Sequence, residues 1–275
     1  MISPHLALRL RPAFTFALTI LCLSATRVMS AAESTRPNIV YILADDLGYG
    51  DVQALNPTRG KIKTPHLDRL AAQGMTFTDA HSGSSVCTPT RYGLLTGRYA
   101  WRSRLQKGVL DGSDDPPLIA EGRLTVPALL KKNGYTTAAI GKWHLGFLSE
   151  RPTSPTTAAP AAPTKKSKMG DAGLPVGSRI IGGPITRGFD YFWGCSNART
   201  MSGLIENDRV IESLPPIQML PRRERQAVNY AAEHAAAAKA GKPFFLYIPL
   251  KIIFMNVYLP ALISKRLASI ADPSA

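Results

Sequence analysis

The chain has 275 residues, 45% of them hydrophobic and 19% charged, which is enough to bury a sizeable core and excludes a wholly disordered or collagen-like chain. Lys and Arg number 33 against 19 Asp and Glu, a formal charge of +14 that favours anionic partners. No zinc-finger spacing, aromatic-and-basic RNA motif or basic helix followed by heptads accompanies that charge, so nucleic acid is not the expected partner.

Residues 1–11 carry His5, Arg9 and Arg11 and no acid. The apolar run AFTFALTILCL follows at 13–23, and then the small residues Ser30, Ala31 and Ala32. This pattern predicts a secretory signal peptide over 1–32, cleaved near Ser30 to Ala32, and export to the periplasm or beyond. The run is short of the ~20 apolar residues of a membrane span.

NIVYILA at 38–44 is continuous, apolar and β-branched, as expected of a strand covered on both faces of a parallel sheet. Thr64-Pro65 predicts an N-cap and first helical residue, with Gly74 closing that helix. MTFTDA, 75–80, predicts a second strand. Thr88 to Leu95 predicts a helix with Pro89 in its first turn, and Thr125 to Asn133 another, followed by the strand YTTAAI. Strand, helix and strand in this order predict a doubly wound, mostly parallel α/β sheet flanked by helices. RPTSPTTAAPAAPTKKSK, 151–168, is a low-complexity, solvent-exposed insertion rather than a domain boundary. Order returns with RGFDYFWG at 187–194 and DRVIES at 208–213. An Ala-rich helix is expected from about Pro221 to Lys239, and PFFLYIPL, 243–250, as a buried strand. A membrane segment over Phe244 to Ile263 is disfavoured by Pro249, Lys251 and Pro260, so no stable span is expected.

Three stretches carry chemistry. Asp45-Asp46 ends an apolar strand, where ligands of open α/β sheets bind. Adjacent carboxylates repel unless a cation lies between them, and they suit Ca²⁺ or Mg²⁺; a turn with a helix cap is the plainer alternative. Cys87-Thr88-Pro89-Thr90-Arg91 places a thiol at a helix mouth, where backbone N–H groups favour an anion. Arg91 lies one turn on and on the same face, a sensible grip on a tetrahedral oxyanion. Lys142 and His144, read as extended chain, point to one side and fit anion binding with proton transfer, while a basic loop around a buried Trp143 is the plainer reading of these residues alone. Cys22 lies in the signal, and Cys87 and Cys195 are left, which invites one disulfide. Trp101 and Trp193 read as packing residues, with sugar stacking as the alternative, and His81 as a brace for the Cys87 loop.

SVCTPTRYGLLTG (85–97) resembles the first sulfatase signature at every position, and GYTTAAIGKWH (134–144) resembles the second. NIVYILADDLGYGD (38–51) is similar to the same family's N-terminal metal-binding strand. From about Arg36 to Leu250 the chain resembles the N-terminal part of an arylsulfatase of the type-I, formylglycine-dependent family. The resemblance implies a sulfatase or alkaline-phosphatase-like fold, with a catalytic domain over 33–250. It implies oxidation of Cys87 to formylglycine (3-oxoalanine) by a formylglycine-generating system, the hydrate being both nucleophile and metal ligand. Asp45 and Asp46 would bind Ca²⁺ with it. Arg91 would polarise the hydrate, Lys142 would bind sulfate oxygens, and His144 would orient the hydrate and assist its breakdown. The substrate would be a sulfate-ester small molecule or a sulfated glycan. RGFDYFWGCSNARTM matches a further family motif approximately, with Ser196 or Ala198 at its serine position and no role assigned.

Beyond residue 250 the family's Ser-Pro-His-Thr-Pro-like stretch, Asp-Asn pair and second lysine are expected, whereas 251–275 reads KIIFMNVYLPALISKRLASIADPSA. This predicts an aberrant tail on a C-terminally truncated sulfatase with very low turnover. The competing expectations are a remnant that binds sulfate weakly and a related phosphoesterase, from which the Cys-x-Pro-x-Arg context points away.

Overall fold

The apolar runs of the sequence become strands of one eight-stranded sheet in a computed structural model that describes residues 36–110, 115–152, 174–197 and 203–251. The expected signal peptide, nearly all of the 151–168 insertion and the tail after Lys251 lie outside the described residues. In chain order the strands are β1 (Ile39–Asp45), β2 (Thr136–Lys142), β3 (Leu148–Glu150), β4 (Arg179–Ile181), β5 (Tyr191–Cys195), β6 (Gly203–Glu206), β7 (Arg209–Ser213) and β8 (Phe244–Lys251). The helices are α1 (Pro65–Gln73), α2 (Cys87–Thr96), α3 (Val126–Lys132) and α4 (Pro216–Lys239).

Across the sheet the order is β1-β8-β2-β5-β6-β7-β4-β3. The first four strands are parallel to one another, and the rest follow antiparallel. β8 lies between β1 and β2, and both of its faces are covered. Phe245 and Tyr247 pack with Tyr92 and Leu95 of α2, while Phe244, Leu246, Ile248 and Leu250 pack with Ala227, Tyr230 and Ala231 of α4. Burial on both faces is why this strand reads as unbroken apolar sequence. Among the described residues no helix is long and apolar enough to cross a membrane.

Four expectations are corrected. β1 is an edge strand among the described residues, bonded only to β8, so Tyr41 and Ile42 remain exposed rather than covered. MTFTDA is not a strand: no neighbour among the described residues offers it a ladder, and Met75 and Phe77 lie exposed. Thr64 stands at the N-cap of α1 but does not cap it, because its hydroxyl donates to Asp68 Oδ1 at 2.9 Å and accepts from Gln53 N at 2.8 Å. α4 begins at Pro216, not near Pro221. Pro216 takes the first-turn place where a missing N–H costs nothing. Pro221 is tolerated further in because Met219, Ala227 and Ala231 anchor the helix on the sheet. Thr125 does cap α3, accepting from Ala128 N at 3.2 Å.

One close approach sets the site's position. Gly141 and Gly194 face each other across β2 and β5. A Cβ on Gly141 would collide with the Pro249 carbonyl, and one on Gly194 with the Gly141 carbonyl. Gly141 also has φ 143°, which only glycine adopts without strain. The residue after it, Lys142, is the last of β2.

Candidate active site

The site forms where three segments end together. β1 stops at Asp45, and Asp46 turns away with φ 72°, a left-handed conformation that costs a non-glycine residue of order 1 kcal/mol. β2 stops at Lys142. α2 starts at Cys87, so its first free backbone N–H groups face the same space. A cavity of about 590 Å³ lies between them, lined in part by Asp45, Asp46, Cys87, Arg91, Lys142 and His144. Every residue that the sequence selected for chemistry therefore reaches one pocket at the carboxyl ends of parallel strands, where such sheets bind ligands.

Asp45 is the hub. Its Oδ2 accepts from Lys142 Nζ at 2.6 Å and from Arg91 Nη2 at 3.0 Å. Burial pushes its carboxyl up, but the Arg91 guanidinium and the Lys142 ammonium outweigh that and hold it below the ordinary carboxylate range. Arg91 is wholly buried, and its Nη1 donates to the Lys142 carbonyl at 2.6 Å. Its Nε has no partner among the described residues. Two side chains expected to touch substrate thus also neutralise one carboxylate, and the repulsion expected between Asp45 and Asp46 is relieved by protein cations.

His144 is held by a closed ring of hydrogen bonds. Its Nε2 donates to the Leu110 carbonyl at 2.7 Å; Leu110 N donates to Thr88 Oγ1 at 3.3 Å; Thr88 Oγ1 donates to the His144 carbonyl at 3.1 Å. A carbonyl only accepts, so Nε2 carries the proton and Nδ1 carries a lone pair. Nδ1 is buried without a partner among the described residues. Burial first, and then the charge of Lys142, depress the imidazole to about 4, with the Leu110 hydrogen bond opposing them in part. The ring is therefore a neutral acceptor at physiological pH. His144 does not reach the pocket by strand alternation, as the extended reading had it. Its φ is 55°, and its N–H donates to the Ser196 carbonyl at 2.7 Å, extending the β2–β5 ladder past Lys142.

Thr88 gave no signal in the sequence beyond standing next to Cys87, and Leu110 gave none. Thr88→Val keeps the shape but strands the Leu110 N–H and the His144 carbonyl in a buried place. We expect a loss of about 1–3 kcal/mol in a denaturant melt. A loss below a few tenths would show that the ring of bonds carries no stability.

The remaining site residues fall as follows. Thr90 Oγ1 donates to the Ser84 and Val86 carbonyls at 2.9 and 2.8 Å, and so braces the loop before Cys87. His81, expected as that brace, instead pairs with Asp79 in solvent. Cys87 and Cys195 are both free thiols, so the disulfide alternative does not hold. Ser196 is buried and contributes its carbonyl to His144; Ala198 lies outside the described residues. As a cation site, the pocket offers hard carboxylate oxygens from Asp45 and Asp46, with Asp45 Oδ1 left over after Arg91 and Lys142 have taken Oδ2. No group of three or more His, Cys, Asp or Glu is placed closely enough to hold a metal ion by itself among the described residues. The donors are of the right kind for Ca²⁺ but supply only part of its roughly 6–8 oxygens.

Comparison with known proteins adds an independent line. The family model described as Sulfatase matches residues 37–251. An N-acetylgalactosamine-6-O-sulfatase of Bacteroides thetaiotaomicron is 47% identical over 114 residues, 42% of this chain and 22% of that one. Human arylsulfatase A is 48% identical over 110 residues, 40% of this chain and 21% of that one. Mouse arylsulfatase G is 30% identical over 88% of this chain and 45% of its own length. The aligned part of the chain thus spans about a fifth to a half of these relatives. Among solved structures, a Bacteroides thetaiotaomicron protein described under the metabolism of multiple glycosaminoglycans superposes with TM-score 0.63 at 25% identity, covering 86% of this chain and 55% of that one. The structure titled Ps i-CgsB gives TM-score 0.58 at 26% identity, covering 80% and 46%.

Proposed function

The chain belongs to the sulfatase family, and from that premise we propose that its pocket binds and cleaves a sulfate monoester through formylglycine derived from Cys87, with Ca²⁺ as cofactor. The observation that carries this reading is that a buried guanidinium and a buried ammonium, joined on Asp45, line one pocket with Cys87 at a helix N-terminus.

The charges support it. Asp45, Asp46, Arg91 and Lys142 sum to zero, so neither a bare anion nor a bare cation is strongly preferred, and a cation and an anion together suit the site. Asp45, Asp46 and the oxidised side chain of residue 87 would hold the Ca²⁺, which would polarise the ester oxygens as a Lewis acid. The hydrated side chain of formylglycine at position 87 would supply the nucleophilic hydroxyl. Arg91 holds developing negative charge without reorganising, because it is already locked to Asp45 and the Lys142 carbonyl. Lys142 shares its ammonium between Asp45 and the sulfate oxygens. His144 offers the Nδ1 lone pair as acceptor for a hydroxyl proton, and its depressed basicity keeps that lone pair free at neutral pH.

The chain, co-produced with a formylglycine-generating system, should react at residue 87 with an aldehyde-directed hydrazide, as read by peptide mass spectrometry. Any release of the alcohol from a chromogenic aryl sulfate should be very slow, with Cys87→Ala silent in both measurements. An unmodified thiol alongside turnover that survives Cys87→Ala would overturn the reading. We also read residues 1–32 as an export signal. The exported protein should begin between Ala31 and Glu33, and an intact Met1 on it would refute this.

A further inference from the structure

Residues 99–107 carry an aromatic and basic surface that the proposed chemistry leaves unused. Trp101, expected to be a packing residue, is 57% exposed, and Tyr99 is 59% exposed. Their rings are nonetheless held nearly parallel, 14° apart with centroids at 6.1 Å, and the Arg102 guanidinium lies 5.0 Å from the centre of the Trp101 ring. The turn beneath them is fixed. Ala100 is buried in the core, and its carbonyl accepts both the N–H of Ser103 at 2.8 Å and the Ser103 hydroxyl at 2.5 Å. Arg102 N donates to the Tyr99 carbonyl at 3.1 Å. The aromatic pair is therefore preorganised, and a ligand would lose little of its binding energy to ordering it.

This surface is continuous with the pocket at two points. The Tyr99 ring lies over Gly83, where a Cβ would sit 3.7 Å from it, and Gly83 separates Ser82 from Ser84, both of which line the pocket. At its other end the segment runs into Val109 and Leu110, which line the pocket as well. Between the two, Arg102, Arg104 and Lys107 are exposed. A rigid pair of rings, one of them overlain by a guanidinium and with further exposed cations in the same segment, complements the apolar face of a pyranose ring in an anionic chain. A lone aryl or steryl sulfate seated in the pocket would leave this surface bare.

We propose that Tyr99, Trp101 and Arg102 form a sugar-stacking subsite for the units adjoining the sulfated one, so that the ligand is a sulfated oligosaccharide. The proposal rests on the pocket being the sulfate-ester site. Calorimetry on Cys87→Ala protein tests it, with N-acetylgalactosamine 6-sulfate and a 6-sulfated chondroitin tetrasaccharide as probes. The tetrasaccharide should bind roughly tenfold more tightly than the monosaccharide. Trp101→Ala should erase that gap without moving the monosaccharide affinity, and Trp101→Phe should keep most of it. Exposed Trp101 should also report the tetrasaccharide by its fluorescence, because Trp143 and Trp193 are buried. Equal affinities in the parent protein, a gap that survives Trp101→Ala, or a dimer in sedimentation that Trp101→Ala dissolves would each overturn the subsite. A monosaccharide sulfate that fails to bind, or whose affinity Lys142→Met leaves unchanged, would overturn the pocket reading instead and take the subsite with it.

Discussion

Asp45→Ala is expected to cost about 3–5 kcal/mol of folding stability, because it strands two cations inside the protein. Arg91 is fully buried and the Lys142 side chain is 4% exposed, and both spend a hydrogen bond on the same Asp45 oxygen. With the carboxylate gone, Arg91 loses its anionic partner and keeps the Lys142 carbonyl, and the Lys142 ammonium loses the oxygen it shares with the guanidinium. Inorganic sulfate should then stabilise Asp45→Ala more than the parent chain, since an anion in the pocket takes the place of the lost carboxylate. At a hundredfold excess over its dissociation constant the gain would be about 2.7 kcal/mol. Urea melts with and without sulfate measure both effects. A loss under about 1 kcal/mol, or equal sulfate stabilisation of the two proteins, would mean that the cations find other partners.

Acidification from pH 6.5 to 4 is expected to remove on the order of 3 kcal/mol through His144 alone. In the unfolded chain this imidazole takes up a proton near pH 6.5; in the folded chain it resists until about 4. Across that window the unfolded state binds more protons, so stability is fully present above it and falls as the pH falls. Asp45 acts in the same direction further down. Its folded-state titration is lowered, so the stability it contributes is present above the unfolded carboxylate value and is lost as the pH drops through the folded one. His144→Gln cannot titrate, yet an amide can still donate to the Leu110 carbonyl. Its stability should change less between pH 6.5 and 4 than that of the parent chain. Parallel pH profiles for the two would show that the buried imidazole is not the source.

The parallel half of the sheet was legible because β8 and β2 are buried on both faces and their sequences are apolar without interruption. The same rule misread β1, since a run such as NIVYILA does not say whether a second neighbour will arrive. It failed again at MTFTDA, whose alternation has the strand period but whose edge meets no partner among the described residues. The lining of the candidate pocket was legible in rare groupings: paired Asp at a strand end, Cys at a helix mouth with Arg one turn on, and Lys with His after a strand. The sequence did not show that Arg91 and Lys142 share Asp45, because that contact joins residues 46 and 97 positions apart. Nor did it show Leu110 holding His144, because a backbone carbonyl leaves no mark on composition. Trp101 was misjudged because apolar content predicts burial only on average, and here a buried Ala100 anchors the turn instead.

The sheet order carries a consequence in time. β8, the last described strand to be made, is the one that separates and bonds β1 and β2. Asp45 on β1 and Lys142 on β2 therefore have no fixed spacing until residue 251 has left the ribosome, and neither does the Arg91 that binds both. At 5–20 residues per second, the roughly 160 positions between Cys87 and Lys251 take on the order of ten to thirty seconds to synthesise. During that interval the Cys87 segment has been made but has no finished pocket to fold into. An enzyme that must grasp it as extended chain has those seconds in which to act, and the order of strands in the sheet, rather than any local feature around the cysteine, sets their number.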